Sequence, residues 1–165
     1  MDSALLANLN SQINFERYSA EVYWALAVPL DDIDLSGMAK WLYDHAVEER
    51  THAQKFIDYL LDVNEKAEIG ALDVPTTVSG EDVFSLVRKT FIAALEHEGK
   101  VTARIHDLYK LARQVDDLPT CELLRWFITE QVEEERKVVT ILNRLNVAGT
   151  NGAAILMLDE ELGGG

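Results

Sequence analysis

The chain has 165 residues, 48% hydrophobic and 27% charged, which suffices for one domain whose core needs no disulfide or metal staple. Fifteen Lys and Arg against 29 Asp and Glu leave a net charge of −14, arguing against a surface built to neutralise nucleic-acid phosphates or an anionic membrane. One cysteine, Cys121, excludes a disulfide framework and a four-thiolate metal site and fits a reducing compartment. Asp2 stands where a signal peptide carries positive charge, and the apolar run Trp24 to Leu30 falls far short of the roughly 20 residues that span a bilayer, so a soluble cytoplasmic protein is expected.

Three prolines and nine glycines gather at a few places and leave long stretches of helical periodicity, which predicts an all-α chain. The first helix carries Leu9, Ile13, Glu16, Ala20, Tyr23, Ala27 and Leu30 at alternating spacings of three and four, with Pro29 expected to loosen its last turn before Asp31-Asp32-Ile33-Asp34. A second helix is predicted from Ser36, as N-cap, to about Asn64, with Met38, Trp41, His45, Glu49, His52, Phe56 and Tyr59 on one stripe. The pattern lapses between about Glu65 and Gly80, where Gly70, Pro75 and Ser79-Gly80 read as extended or turning chain. Ser79, three residues before Asp82, is expected to cap a third helix with Phe84, Val87, Phe91, Ala94, Glu98, Val101, Ile105 and Leu108 on its stripe, stopping near 115–119. The fourth carries Leu124, Phe127, Gln131, Glu134, Val138, Ile141 and Leu145 and ends before Gly149, and Ala153 to Leu162 form a short fifth helix. Residues 1–147 read as a four-helix bundle of two antiparallel hairpins joined by a long crossover, with 148–165 as a short C-terminal helix and tail of the same domain. The alternative, a solenoid of helix pairs, needs a repeat of 34 to 47 residues, and none of that length is found.

The stripes hold residues that a plain core excludes: Glu16, Glu49, His52, Glu98, Gln131 and Glu134, with no Lys or Arg among them. Four buried carboxylates without partners each cost several kcal/mol, so they must be protonated, wet or neutralised by a cation. Glu16 and Glu98 stand 82 residues apart, as do Glu48 and Glu130, Glu49 and Gln131, and His52 and Glu134, so the two hairpins repeat one another. The midpoints between facing polar positions fall at about 33 and 115, inside the two turns, and at about 1.5 Å rise per residue this brings six candidate ligands to one cross-section. Glu49-x-x-His52 and Gln131-x-x-Glu134 each place two donors one turn apart on one face, an oxygen-rich set with a single nitrogen that suits iron or manganese.

The segments Asn14-Phe15-Glu16-Arg17-Tyr18 with Tyr23, His45 to His52, Glu96-His97-Glu98, and Trp126 with Glu130 to Glu135 resemble the ferritin family, specifically its non-haem bacterial members, over nearly the whole chain. By that resemblance Glu16, Glu49 and His52 hold a first iron, Glu49 bridges, Glu98 and Glu134 hold a second, and Gln131 sits beside the pair as a hydrogen-bonding or weak ligand. Glu48, Glu130 and Glu133, with Glu134 shared, match a third iron site. Gln131-x-x-Glu134 on the fourth helix departs from the Glu-x-x-His of bacterioferritin, which sets haem aside. The resemblance implies a homo-oligomeric 24-subunit shell that oxidises Fe(II) with dioxygen or peroxide and stores ferric mineral.

A non-storage di-iron or di-manganese oxidase or peroxidase is the alternative function, and a metal-free structural bundle a third reading that gives no reason for the 82-residue coincidence. Tyr23 reads either as core packing or as a group that hydrogen-bonds a ligand or donates an electron. A buried Gln131 equally fits a satisfied core amide. Trp126 reads as core filling, His45, His97 and His106 as structural or exposed, Cys121 as inert, and Ile155 to Leu158 as a buried cap or an assembly contact.

Overall fold

A computed structural model describes residues 1–164. Five helices run in chain order: α1 (Ser3–Asp31), α2 (Ser36–Asp62), α3 (Val83–Gln114), α4 (Leu118–Ala148) and α5 (Gly152–Leu162). α1 packs on α2, α3 on α4 and α1 on α3, the arrangement of two hairpins in one bundle, and residues 65–82 form the non-helical crossover. Every apolar residue on the α1 and α4 stripes is buried, so the three-and-four spacing marks the inward faces of these helices.

The C-terminal ends of α1, α2 and α3 stop in the same way. Asp34, Asn64 and Asp116 take left-handed backbone angles, with φ of 62°, 58° and 58°. The following amides reach back five residues, Leu35 to Leu30 O, Glu65 to Leu60 O and Asp117 to Ala112 O, so the terminal carbonyls are satisfied without glycine.

Two local expectations change. Leu35, not Ser36, precedes α2 as its N-cap and makes no side-chain cap bond. It is buried instead, so apolar packing holds that end. Ser79 does not cap α3; Asp82 does, accepting from the Ser85 amide at 2.7 Å, because the helix begins three residues later than Ser79 would start it. Pro29 lies inside α1, which runs on to Asp31.

α5 docks on the start of α2. Ile155 and Leu158 are buried in the core, and the Asp159 carboxylate accepts from the Met38 amide at 2.7 Å. No described helix is long and apolar enough to cross a membrane.

Candidate metal centre

The bundle core divides into two apolar clusters. One contains Leu5, Leu9, Ile13, Phe56, Ile105, Leu124 and Phe127; the other contains Leu26, Leu42, Phe91, Val138 and the α5 contacts. Along each helix the polar positions fall between the two, so the carboxylates occupy a layer that is apolar above and below.

α1 contributes Glu16 to this layer, and α2 contributes Glu49 and His52 one turn apart. One ligand atom from each lies within 4.8 Å of the others, and all three residues are buried. His52 Nδ1 is 3.3 Å from Glu49 Oε2. Glu16 Oε1 accepts from Gln12 Nε2 at 2.8 Å, and Gln12 Oε1 in turn accepts from Arg104 Nε at 2.8 Å. Glu16 Oε2 is buried and has no hydrogen-bond partner. An orphaned carboxylate oxygen beside a second carboxylate and an imidazole fits a cation as its missing partner.

α3 and α4 supply the opposite side. Glu98 Oε1 accepts from Tyr23 Oη at 2.5 Å, and Glu98 Oε2 accepts from Gln131 Nε2 at 3.0 Å. Gln131 Nε2 also lies 3.3 Å from Thr102 Oγ1. Glu134 Oε1 accepts from Lys137 Nζ at 2.7 Å, and Glu134 Oε2 stands 3.5 Å from His45 Nε2.

The electrostatics of the layer are those of acids waiting for positive charge. Burial pushes the Glu16 carboxyl well above the usual range, and the Glu49 charge adds to it against the Gln12 hydrogen bond. Glu49 is likewise driven well up by burial and by repulsion from Glu98. Burial pushes Glu98 up to about 7, although the hydrogen bonds from Tyr23 and Gln131 favour its ionised form. Glu134 is raised by burial, with Lys137 working against the shift. The Tyr23 phenol is raised well above 10 by burial and by the Glu98 charge, so it stays a proton donor to that carboxylate.

Beside this layer Glu48 lies half-buried near two further sets of donors. Glu48, His52 and Glu130 form one grouping within 4.8 Å, and His45, Glu48 and Glu134 form another. Burial and the Glu134 charge raise the Glu130 carboxyl. Glu133 is exposed and belongs to none of the groupings among the described residues. Its neighbours in sequence, Glu134 inward and Val132 outward, leave it on the solvent side of α4.

Trp126 falls differently from expectation, and Lys137 and Gln12 join the polar partners of the layer. Trp126 is 40% exposed, because it sits outside the core stripe with its ring edge-on to His52 at 5.7 Å and the Lys55 ammonium 4.1 Å from its centroid. Lys137 supplies a positive charge that the stripes omit, because a long side chain one turn beyond Glu134 reaches back to it. Gln12 is absent from the sequence-predicted set, although it lies four residues before Glu16 on the same face, where an amide can serve the carboxylate. His97 is buried with Nε2 2.7 Å from Ser19 Oγ, His106 is exposed and Cys121 is buried. His45 is buried, yet its Nε2 has no hydrogen-bond partner.

The family model described as "Ferritin-like domain" matches residues 6–148. Curated relatives include "Bacterial non-heme ferritin" of Staphylococcus aureus (strain USA300), 37% identical over 159 residues, 96% of this chain and 93% of the relative. The protein of the same name from Staphylococcus saprophyticus is 36% identical over 162 residues, 98% of this chain and 94% of the relative. Among solved structures, an open pore ferritin from the hyperthermophilic archaeon Archaeoglobus fulgidus superposes with a TM-score of 0.92 at 34% identity, covering 99% of this chain and 98% of that one. The helix order, the buried carboxylate layer and these likenesses over nearly the full length together place the chain in the ferritin family.

Proposed function

We propose that this protein stores iron and oxidises it on entry, with two Fe(II) ions as substrate at the carboxylate layer. The observation that carries the reading is the buried group of Glu16, Glu49 and His52, with Glu16 Oε2 unpartnered in a layer of acids raised by burial. Glu16, Glu49 and His52 would hold one ion and Glu98 with Glu134 the other, Glu49 standing between them. Gln131 and Tyr23 hold Glu98 from two sides and leave it less free to turn. Bound Fe(II) displaces protons from carboxyls that burial keeps protonated, so the same residues couple binding to proton release.

Two Fe(II) each give one electron to dioxygen, which with two protons becomes hydrogen peroxide; with peroxide as oxidant the products are two waters. In both cases the products are Fe(III) ions of higher charge, and ionised Glu16, Glu49, Glu98 and Glu134 absorb that rise in charge. Glu48 and Glu130, flanking the layer, form a path for ferric ions, to which Glu133 is a candidate addition. Storage requires a cavity that one chain lacks, so the proposal includes a homo-oligomeric shell of 24 subunits in the cytoplasm, built from one domain per chain. Trp24, Val28, Val147 and Met157 are exposed on the single chain and suit burial between copies.

The test pairs size-exclusion chromatography and light scattering with stopped-flow absorbance after adding two Fe(II) per metal-free chain in air. A shell-sized particle with a fast oxidation transient that disappears in Glu49→Ala supports the reading. A monomer or dimer that oxidises iron equally fast points to a non-storage di-iron enzyme, and no metal-dependent signal at any size leaves a structural bundle.

A further inference from the structure

Lys137 lies one turn beyond Glu134 on α4. Its ammonium donates to Glu134 Oε1 at 2.7 Å and lies 3.5 Å from Glu48 Oε1 on α2. Among the described residues it is the only Lys or Arg nitrogen within 4.0 Å of a carboxylate of Glu16, Glu48, Glu49, Glu98, Glu130 or Glu134. The same two carboxylates form, with His45, a set of three ligand atoms within 4.8 Å of one another.

The orientation of His45 makes that set more than a pair of acids. Its Nδ1 is 2.8 Å from the Trp41 carbonyl oxygen, which can only accept, so Nδ1 carries a hydrogen. In the neutral ring Nε2 then carries a lone pair. The Trp41 ring stacks on the imidazole at 3.6 Å and holds its plane. Nε2 is buried and unpartnered, and it points at Glu134 Oε2 from 3.5 Å. A lone pair facing a carboxylate oxygen is relieved by a proton or a metal cation between them, and an imidazole fixed through its other nitrogen to a carbonyl is the usual state of a metal-binding histidine.

We propose that His45 Nε2, Glu48 and Glu134 form a further cation site, and that Lys137 is its tethered counter-ion, occupying the charge position until a metal displaces it. The proposal rests on the reading above that Glu134 belongs to the metal centre. It shares Glu48 and Glu134 with the third site that the resemblance implies and differs from it in recruiting an imidazole from α2 in place of Glu130 and Glu133 on α4. The Lys137 side chain is 37% exposed, so its head can leave into solvent by bond rotations with α4 in place. A metal ion entering here must compete with an ammonium that is always present at high local concentration, which makes this site fill last. Lys137 thereby sets the threshold at which ions beyond the first two are held.

The test is calorimetric titration of the metal-free, full-length assembly with Zn(II), which has no redox chemistry to confuse the count. Wild type is compared with Lys137→Met and with Lys137→Met carrying His45→Gln, and crystals of each loaded with Zn(II) are examined by anomalous diffraction. In Lys137→Met the last ion is expected to bind about tenfold more tightly than in wild type, with an anomalous peak in contact with His45 Nε2, and the added His45→Gln removes both. An unchanged last affinity in Lys137→Met, with the first ions still bound, overturns the counter-ion role while the carboxylate centre stands. Tightening that survives His45→Gln overturns the site as drawn. Absence of Zn(II) from the Glu16, Glu49 and His52 group as well overturns both this site and the reading it rests on.

Discussion

Tyr23 on α1 and Glu98 on α3 meet across the bundle, the phenol donating to Glu98 Oε1 at 2.5 Å with both groups buried. The bond ties a carboxylate on one hairpin to a side chain on the other, and it favours the ionised acid against the burial that raises it to about 7. Tyr23→Phe keeps the packing and removes only the donor. Iron oxidation in stopped flow is expected to slow roughly tenfold with the fold intact, and an unchanged rate would assign Tyr23 to packing alone.

Glu49 makes opposite contributions to stability and to metal binding. Its carboxyl is raised well above the usual range by burial and by Glu98, so the folded state holds a proton that the unfolded chain releases above about pH 4.3. With more protons bound folded than unfolded, stability falls as pH rises past that value. Glu49→Gln removes the titration. In urea melts the metal-free variant is expected to exceed wild type by about 1–3 kcal/mol at pH 8, with the gap shrinking toward pH 4.5. The same variant should lose Fe(II) and Zn(II) affinity by at least about tenfold.

His97 adds a dependence of the opposite sign. It is buried against Ser19 and stacked on Phe15 at 5.4 Å, and burial, helped by the Lys100 charge, lowers it to about 4. The unfolded chain therefore takes up a proton at about pH 6.5 that the folded chain refuses until about pH 4. The stability from a neutral His97 is complete above about pH 6.5 and declines as pH falls toward 4, by up to about 3 kcal/mol. His97→Gln should flatten that part of the stability profile of the metal-free protein, measured by denaturant titration from pH 7.5 to 4.5.

Gly37 is where α2 touches α5 most closely. A Cβ there would stand 1.8 Å from the Asp159 carbonyl oxygen, a backbone atom with no freedom to move aside alone. Gly37→Ala is expected to push α5 off the bundle at a cost of about 2 kcal/mol. Hydrogen exchange should show faster exchange across 152–162 and at the Met38 amide, which now donates to Asp159. Metal binding at mid-bundle should persist, because none of its donors lies on α5.

The helices, their inward faces and the level of the acids follow from residue spacing alone. Periodicity decides which side of a long helix is buried, and a constant rise per residue decides where facing positions meet, so Glu16, Glu49 and His52 are legible as one group in the sequence. Helix ends were less legible: Ser36 and Ser79 carry suitable capping hydroxyls, yet buried Leu35 and the later Asp82 take those places, since packing outweighs a bond worth about 1 kcal/mol. Which polar groups serve the acids depends on how the helices pack against one another. Gln12 reaches Glu16 from one turn before it and is itself held by Arg104, Lys137 reaches Glu134 through a flexible side chain, Trp126 and Glu133 are exposed, and the unpartnered Nε2 of His45 emerges only once Trp41 claims the other nitrogen. Spacing along a helix fixes the direction of a Cα–Cβ bond, whereas the rotamer beyond it depends on neighbours contributed by other helices.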